Sequence, residues 1–397
     1  MRRLHRHAFL SAFLCALLAA AAPARAAAPR MVATHWTVRD GLPVNSVNDL
    51  LQTRDGYLWV STYDGLVRFD GLHFTVFNQS NTPSLPSNRV LSLREDAAGA
   101  LWVRTESREL VRITDPLGTW QRFGTTGEGG HVLTVHLDRG GRPWIGTRTG
   151  VQRYEGGKMI PYAPADGFRA GSVYRASDGA VWVHSDSIII RFANQTRTRY
   201  RVPSANVNFM RAFYELSDGR VLLGTRGGLL EPADGTLRPV DWSTIPDTMR
   251  VVDSEESSRR GEIAGRHLRY FYSAGPDGKL RAELTASWVT DARGDVWRTL
   301  ENQLLKGDDV IYEGRSEAAR VLVDREGCVW LGTRSEGLFR FTPSILQSIM
   351  PEYTGKPLNL YSLHEGGDGA MYFASYGLGA GVWRAGRISA PPPPLLS

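Results

Sequence analysis

The apolar positions of this chain alternate with polar ones at period two, in short runs broken by glycine turns. Val47, Leu50, Leu58, Val60, Val67 and Phe69 set the pattern, and no stretch of comparable strength repeats every 3.6 residues. The spacing predicts small antiparallel sheets. One unit parses fully: Val47 to Gln52 as the innermost strand, Tyr57 to Ser61 as the second, Leu66 to Phe69 as the third and His73 to Phe77 as the outermost. The turns between them are Asp55-Gly56, Asp64-Gly65 and Asp70-Gly71. Asp-Gly pairs favour hairpins because glycine accepts positive φ and aspartate bonds its own backbone.

The unit recurs. Its anchoring apolar residue falls at Trp59, Trp102, Trp144, Trp182, Leu222, Trp297 and Trp330, with a weaker copy at Tyr372. Most separations match a four-stranded propeller blade of roughly 40 to 45 residues. Strand sets start near Val47, Val90, Val132, Val173, Met210, Ser287 and Arg320. The last set lacks an outer strand, and Thr34 to Val38 has the character of one. If that segment pairs with the last set, the ring closes and no sheet edge is left open. The expected fold is all-β: a seven-bladed β-propeller of four-stranded antiparallel blades closed by an N-terminal strand, plus the start of a second propeller.

The expected organisation runs from a signal peptide over 1–26 to a propeller over 33–341, then an isolated extra blade over 342–389 and a proline-rich tail over 390–397. Residues 243–285 show no repeat and read as an insertion, or as a decayed blade containing a Tyr270 to Leu284 hairpin. The first 26 residues join a basic start (Arg2, Arg3, Arg6) to an apolar segment and an Ala24-Arg25-Ala26 pattern, as an export signal does. The apolar segment is too short to be a membrane span. The formal net charge is +6; removing that segment takes four arginines and no acid, leaving about +2. Charge and compartment both disfavour nucleic acid as a partner. One cysteine, Cys328, then remains beside Trp330, where it reads as a small buried hydrophobe.

Candidate chemistry is sparse. One tryptophan per unit at one strand position is what packing between sheets needs, each ring burying on the order of 200 Å². The Asp-Gly turns supply too few oxygens for calcium, which takes six to eight. His131, His136, His184 and His364 show no metal-ligand spacing, and no nucleophile elbow or phosphate loop occurs. Neither a catalytic residue, a metal nor a cofactor is expected. The turns between second and third strands vary on a fixed frame: Tyr63, Glu106, Arg148, Asp186, Arg226, Arg334 and Tyr376. Variation of that kind is how loops carry specificity. Tyr63, Arg148, Asp186, Arg226 and Arg334, with Asn45, Asn88 and Arg89 from the blade connections, form a candidate ligand-binding mouth suited to a polar or anionic molecule. The plainer reading is solvated turn residues held by mutual ion pairs.

At these residues the sequence resembles the two-component regulator propeller family. The resemblance rests on the connector Gly41-Leu42-Pro43-Val44-Asn45-Ser46-Val47, on Trp59, Thr62 and Gly65-Leu66-Val67-Arg68-Phe69, on Trp144-Ile145-Gly146-Thr147, and on Trp330-Leu331-Gly332-Thr333 with Gly337-Leu338-Phe339-Arg340-Phe341. It spans about 34 to 384; blade two lacks the second glycine and blades four to six depart further. Such propellers form the periplasmic sensor half of membrane histidine kinases or diguanylate cyclases, usually as two rings. The resemblance implies a non-catalytic, periplasmic, ligand-sensing propeller from a truncated receptor. The expected partners are an extracellular small molecule or oligosaccharide, or a second copy of the chain. The rival readings are a propeller-type polysaccharide hydrolase or lyase, for which Asp186 with His184 is a candidate pair, and a protein-interaction scaffold.

Overall fold

The computed structural model describes residues 31–118, 120–123, 131–163, 170–185, 188–194, 196–202, 212–216, 218–225, 228–240, 251–254, 262–263, 266–267, 269–274, 280–285, 287–343, 360–367, 369–375, 379–384 and 387–389. The expected export signal, Asp186, Arg226, Tyr376 and the proline-rich tail lie outside them. Two compact units divide the chain at Pro343.

Among the described residues of 31–342, seven sheets have four or five strands, and two further pairs of strands occur between 262 and 285. The first sheet takes Val47–Gln52, Leu58–Thr62, Gly65–Phe69 and Phe74–Phe77 in chain order, each antiparallel to the next. Sheets two, three, four and six are built the same way. First strands pack against first strands: Val47–Gln52 lies against both Val90–Glu95 and Ala318–Val323, and Val132–Leu137 against Ser172–Arg175. They therefore border the axis, as a propeller requires. The fifth sheet carries an extra strand, Val251–Ser254, on the inner edge of Ala212–Leu216. Arg269–Ala274 pairs with Leu280–Thr285 as a hairpin.

The last sheet holds Ala318–Val323, Val329–Thr333, Leu338–Pro343 and, outermost, the N-terminal strand. That strand is Met31–Trp36, three residues earlier than the expected start and ending before Val38. Thr37 and Asp40 explain the difference. They form a capping box in which Thr37 N and Oγ1 both donate to Asp40 Oδ2, at 2.8 and 2.9 Å, turning Val38–Asp40 into a short 3-10 helix. Trp36 stacks on Trp330 with centroids 5.5 Å apart and meets Phe69 of the first sheet edge-on at 5.3 Å.

The junction between last and first sheets repeats the one between first and second. Arg325 donates from Nη1 to Arg54 O at 2.7 Å and from Nη2 to Thr53 O at 2.8 Å, while its backbone N reaches Gln52 Oε1 at 2.9 Å. Arg54 does the same one sheet on, to Ala97 O at 2.7 Å, Asp96 O at 2.6 Å and Glu95 Oε1 at 3.0 Å. Identical clasps on either side of the first sheet mean that it has neighbours of one kind on both flanks. The N-terminal strand therefore seals a ring.

All the anchoring tryptophans but Trp182 are tied to the turn before them. Asp96, Asp138, Asp291 and Asp324 stand six residues ahead of Trp102, Trp144, Trp297 and Trp330, and each accepts the indole Nε1–H on Oδ2 at 2.7 to 3.1 Å. Their Oδ1 atoms accept turn amides, as Asp138 does from Gly140 and Arg142 at 2.9 and 3.0 Å. One carboxylate thus closes the hairpin and fixes the indole. Trp59 uses Thr53 Oγ1 instead, at 3.1 Å, and Thr53 leans on Asp55 Oδ1 at 2.6 Å. Sheet four has Ala176 at the carboxylate position, and the buried Trp182 Nε1 has no partner. Sheet five has lost both members, carrying Leu216 and Leu222.

The unit beginning at Pro343 contains one four-stranded antiparallel sheet, Leu360–Glu365, Met371–Ser375, Gly379–Arg384 and Arg387–Ser389.

Two stability measurements check the carboxylate's role. Burial alone raises the pKa of Asp138, but the Arg142 amide, the Trp144 indole and the charges of Arg142 and Arg175 outweigh it and hold the carboxyl below its ordinary value. A lowered folded-state pKa means that the stabilisation is present above the unfolded value near pH 3.9 and is lost as pH falls through the folded one. Asp138→Ala should cost about 3 kcal/mol in urea titrations at pH 7, and its deficit against the wild type should shrink below about pH 4. Conversely, Ala176→Asp gives Trp182 Nε1 its acceptor at the same spacing and should add about 1 kcal/mol; an unchanged or lower midpoint would contradict the device.

Candidate functional site

The candidate mouth lies on the turns between second and third strands and on the connectors between sheets. A threonine three residues past the tryptophan shapes these turns. Thr62, Thr147 and Thr333 donate from Oγ1 to the carbonyls of Gly65, Gly150 and Gly337 at 2.8, 3.0 and 3.0 Å. The same hydroxyls accept the amides of Asp64, Thr149 and Glu336 at 3.0, 3.2 and 2.9 Å. The side chain at the tip is left to vary.

Tyr63, Asn88 and Arg89 come together there, joined by Glu106 of the second sheet. Arg89 lies over the Tyr63 ring with 4.9 Å from Cζ to the centroid, and its Nη1 pairs with Glu106 Oε2 at 3.1 Å. Arg89 and Glu106 are each about half exposed, so solvent screens the pair. Asn88 Nδ2 donates to Asp64 Oδ1 at 3.1 Å, its Oδ1 accepts the Gln79 amide at 2.7 Å, and its carbonyl accepts the Gly65 amide at 2.8 Å. Asn45 repeats this at the ring closure, accepting Val38 N on Oδ1 at 2.9 Å and Gly337 N on its carbonyl at 2.9 Å. Both asparagines thus hold connectors to the preceding sheet, a structural duty that engages the Oδ1 and carbonyl oxygens of each.

Arg148 and Arg334 sit at the tips of other turns. The amide of Arg148 donates to His131 O at 3.2 Å and its side chain is exposed. The amide of Arg334 donates to Glu317 O at 3.0 Å, and its side chain is half-buried. Glu336, on the same turn, accepts the amides of Arg315 and Ser316 on Oε2, both at 2.8 Å.

Sequence reasoning missed a cleft of about 100 Å³ lined by Arg142, Trp144, Arg153, Tyr154, Tyr162 and Arg175. Its cations face carboxylates: Arg142 and Arg175 pair with Asp138 at 3.1 and 3.4 Å, and Arg153 with Glu155 at 2.8 Å. No linear motif marks it, because it joins the second, third and fourth strands of sheet three to the inner strand of sheet four.

Residues 41–64 and 84–107 match the two component regulator propeller family. The chain therefore carries two-component regulator propeller repeats. No curated protein matches it in sequence. Among solved structures it is similar to the extracellular domain of a protein assigned as a hybrid two component system, BT3049 of B. thetaiotaomicron, with 16% identity and a TM-score of 0.55 over 91% of this chain and 49% of that one. A second such domain, from the assigned one component system BT4673 of B. thetaiotaomicron, gives 18% identity and a TM-score of 0.48 over 87% of this chain and 45% of that one. Virginiamycin B lyase of Staphylococcus aureus gives 16% identity and a TM-score of 0.46 over 79% of this chain and 99% of that one. The chain spans about half the length of the two B. thetaiotaomicron domains.

The division between scaffold and rim is measurable. Asn88→Ala should lower unfolding stability by about 1 to 2 kcal/mol through its lost hydrogen bonds. Arg148→Ala, which removes an exposed side chain, should stay within about 0.5 kcal/mol of wild type. Equal losses in the two variants would refute the distinction.

Proposed function

We propose that this chain is a non-catalytic, exported sensor propeller that takes an extracellular small molecule or oligosaccharide at the mouth of its ring. The observation that carries the reading is the pair of two-component regulator propeller repeats set in a ring whose closing junction repeats the one beside it while the turn tips differ. The N-terminal basic and apolar pattern supports export, and no helix among the described residues is long and apolar enough to cross a membrane. Ligand occupancy would bias an equilibrium between two arrangements of the receptor and drive no chemistry. Tyr63, Arg89, Arg148 and Arg334, with Asp186 and Arg226, are the proposed contact residues, and Asn45 and Asn88 their support.

The lyase reading needs His184 delivered to solvent beside Asp186. His184 is only 4% exposed on Val181–Ser185. His136 is equally buried, and burial with the nearby Arg94 charge brings its pKa down to about 4, so it is neutral at physiological pH.

A thermal-shift screen of neutral oligosaccharides and anionic metabolites against wild type, Arg148→Ala and Arg226→Ala tests the mouth. The expected result is a ligand that raises the wild-type Tm by about 3 °C or more at saturation and loses most of that shift in both variants. Undiminished shifts in both would remove the mouth as the binding site.

A further inference from the structure

Where sheet three meets sheet four, three side chains depart together from what the repeat does elsewhere. The third-strand arginine opposite the tryptophan lies over its own indole in sheets two, four and seven, with Cζ of Arg112, Arg191 and Arg340 at 5.8, 5.6 and 5.6 Å from the ring centroid. Arg153 holds that place in sheet three but pairs with Glu155 at 2.8 Å, and the Trp144 ring is met instead by Arg175 of sheet four, at 5.7 Å. The outer-strand aromatic stacks on the tryptophan in sheets one, two and four, where Phe77, Phe123 and Tyr200 lie at 26°, 25° and 23° to the indole plane. Tyr162 stands at 81° to Trp144 with centroids 4.7 Å apart. The backbone accounts for the difference. Val151 pairs with Ala163 and Gln152 with Pro161, so Tyr162 is the extra residue of a β-bulge, whereas the outer strands of sheets one, two and four pair without a register shift. A bulge re-aims the side chain it carries.

These departures open the cleft of about 100 Å³, several times the space that one water needs. Tyr162 is 37% exposed, against 6% for Phe77 and 9% for Tyr200. Its two ring contacts, with Trp144 and with Phe192 at 82°, are both edge-on, so among the described residues no ring lies parallel to it. Arg142 is exposed beside it and Arg175 half-buried. Both use one nitrogen on the same atom: Asp138 Oδ2 accepts the Trp144 indole, Arg142 Nε at 3.1 Å and Arg175 Nη1 at 3.4 Å. That oxygen offers two lone pairs to three donors, and Arg175, the farthest, brings four further N–H groups. A carboxylate entering the cleft would take the Arg175 fork two bonds at a time, as the planar geometries of both groups allow. The ring bearing it would lie along the Tyr162 face.

We propose that this cleft between sheets three and four binds the carboxylate of a small ring-bearing acid through Arg142 and Arg175, with the ring of that acid packed on Tyr162. The site stands apart from the mouth, since Arg142 precedes and Arg148 follows the strand Pro143–Thr147. It does not depend on the sensor role, because binding is read on the full chain alone. Thermal shift and calorimetry with benzoate and D-glucuronate, each beside its uncharged counterpart, benzamide and D-glucose, at constant ionic strength set with NaCl, test it. One acid or both should raise the wild-type Tm by about 2 °C or more at roughly tenfold excess over Kd, and neither neutral compound should; which acid binds separates an aromatic from a pyranose skeleton. Tyr162→Ala and Arg175→Gln, the latter restoring the residue type of sheet one at that position, should fold and weaken binding about tenfold or more. Arg238→Ala, on the outer strand of sheet five, should leave affinity unchanged. Should Arg175→Gln fail to fold, Arg142→Ala, which restores the residue type of sheets two and four, carries the same comparison. No shift with either acid, an equal shift with the neutral counterparts, or unchanged affinity in the folded cleft variants would overturn the site.

Discussion

The ring rests on a carboxylate set six residues ahead of a tryptophan. In a sheet of four short strands little area is buried within the sheet itself, so the indole wedged against the neighbouring sheet carries much of the packing. An indole has one polar atom, and burying it without a partner costs more than the bond it forgoes in water. Asp96, Asp138, Asp291 and Asp324 solve this with one oxygen and close their own turn with the other. The hairpin and the inter-sheet wedge are therefore positioned by the same atoms, and each sheet is an interchangeable part.

Parts of one kind can share a joint, and two neighbouring junctions do. Arg325 clasps sheet one as Arg54 clasps sheet two, and Asn45 holds Gly337 as Asn88 holds Gly65. Because the closing junction uses the same bonds as an ordinary one, closure by Met31–Trp36 adds no special interface and only supplies the missing outer strand. Side chains outside these joints, at the turn tips and on the inner strands, are then free to differ from sheet to sheet without loosening the ring.

Much of this was legible in the sequence because it is periodic. Trp59 to Trp330 set the register, Asp-Gly pairs marked the turns, and Val47–Gln52 fell where the alternation placed it. The closing strand was displaced because Thr37 reads as a strand former until Asp40 is seen to cap it. The indole–carboxylate bond also leaves a mark in the sequence, a spacing of six that recurs four times, although turn formation alone accounts for an aspartate at each of those positions. Other features could not be read along the chain. Asn45 and Asn88 looked like rim residues because nothing local shows that their partners are Val38, Gln79 and the glycines of the preceding sheet. Arg94 reaches Asp49 from the next sheet along the chain, but Arg320 belongs to the last sheet and only closure brings it there.

The departures from the repeat follow the same physics. When both members of the indole–carboxylate pair are exchanged for apolar groups, as at Leu216 and Leu222, no polar atom is stranded and both side chains are fully buried. When only the acceptor goes, as at Ala176, a buried donor remains and the whole desolvation cost persists. Sheet four therefore carries a defect that sheet five has resolved. Sheet five instead takes an extra strand, Val251–Ser254, on its axial edge, where the other sheets present their first strand to the ring interior. An added strand at that edge satisfies backbone groups that would otherwise face the axis, so Val251–Ser254 falls where the sequence repeat is interrupted yet extends a sheet that the repeat had already built.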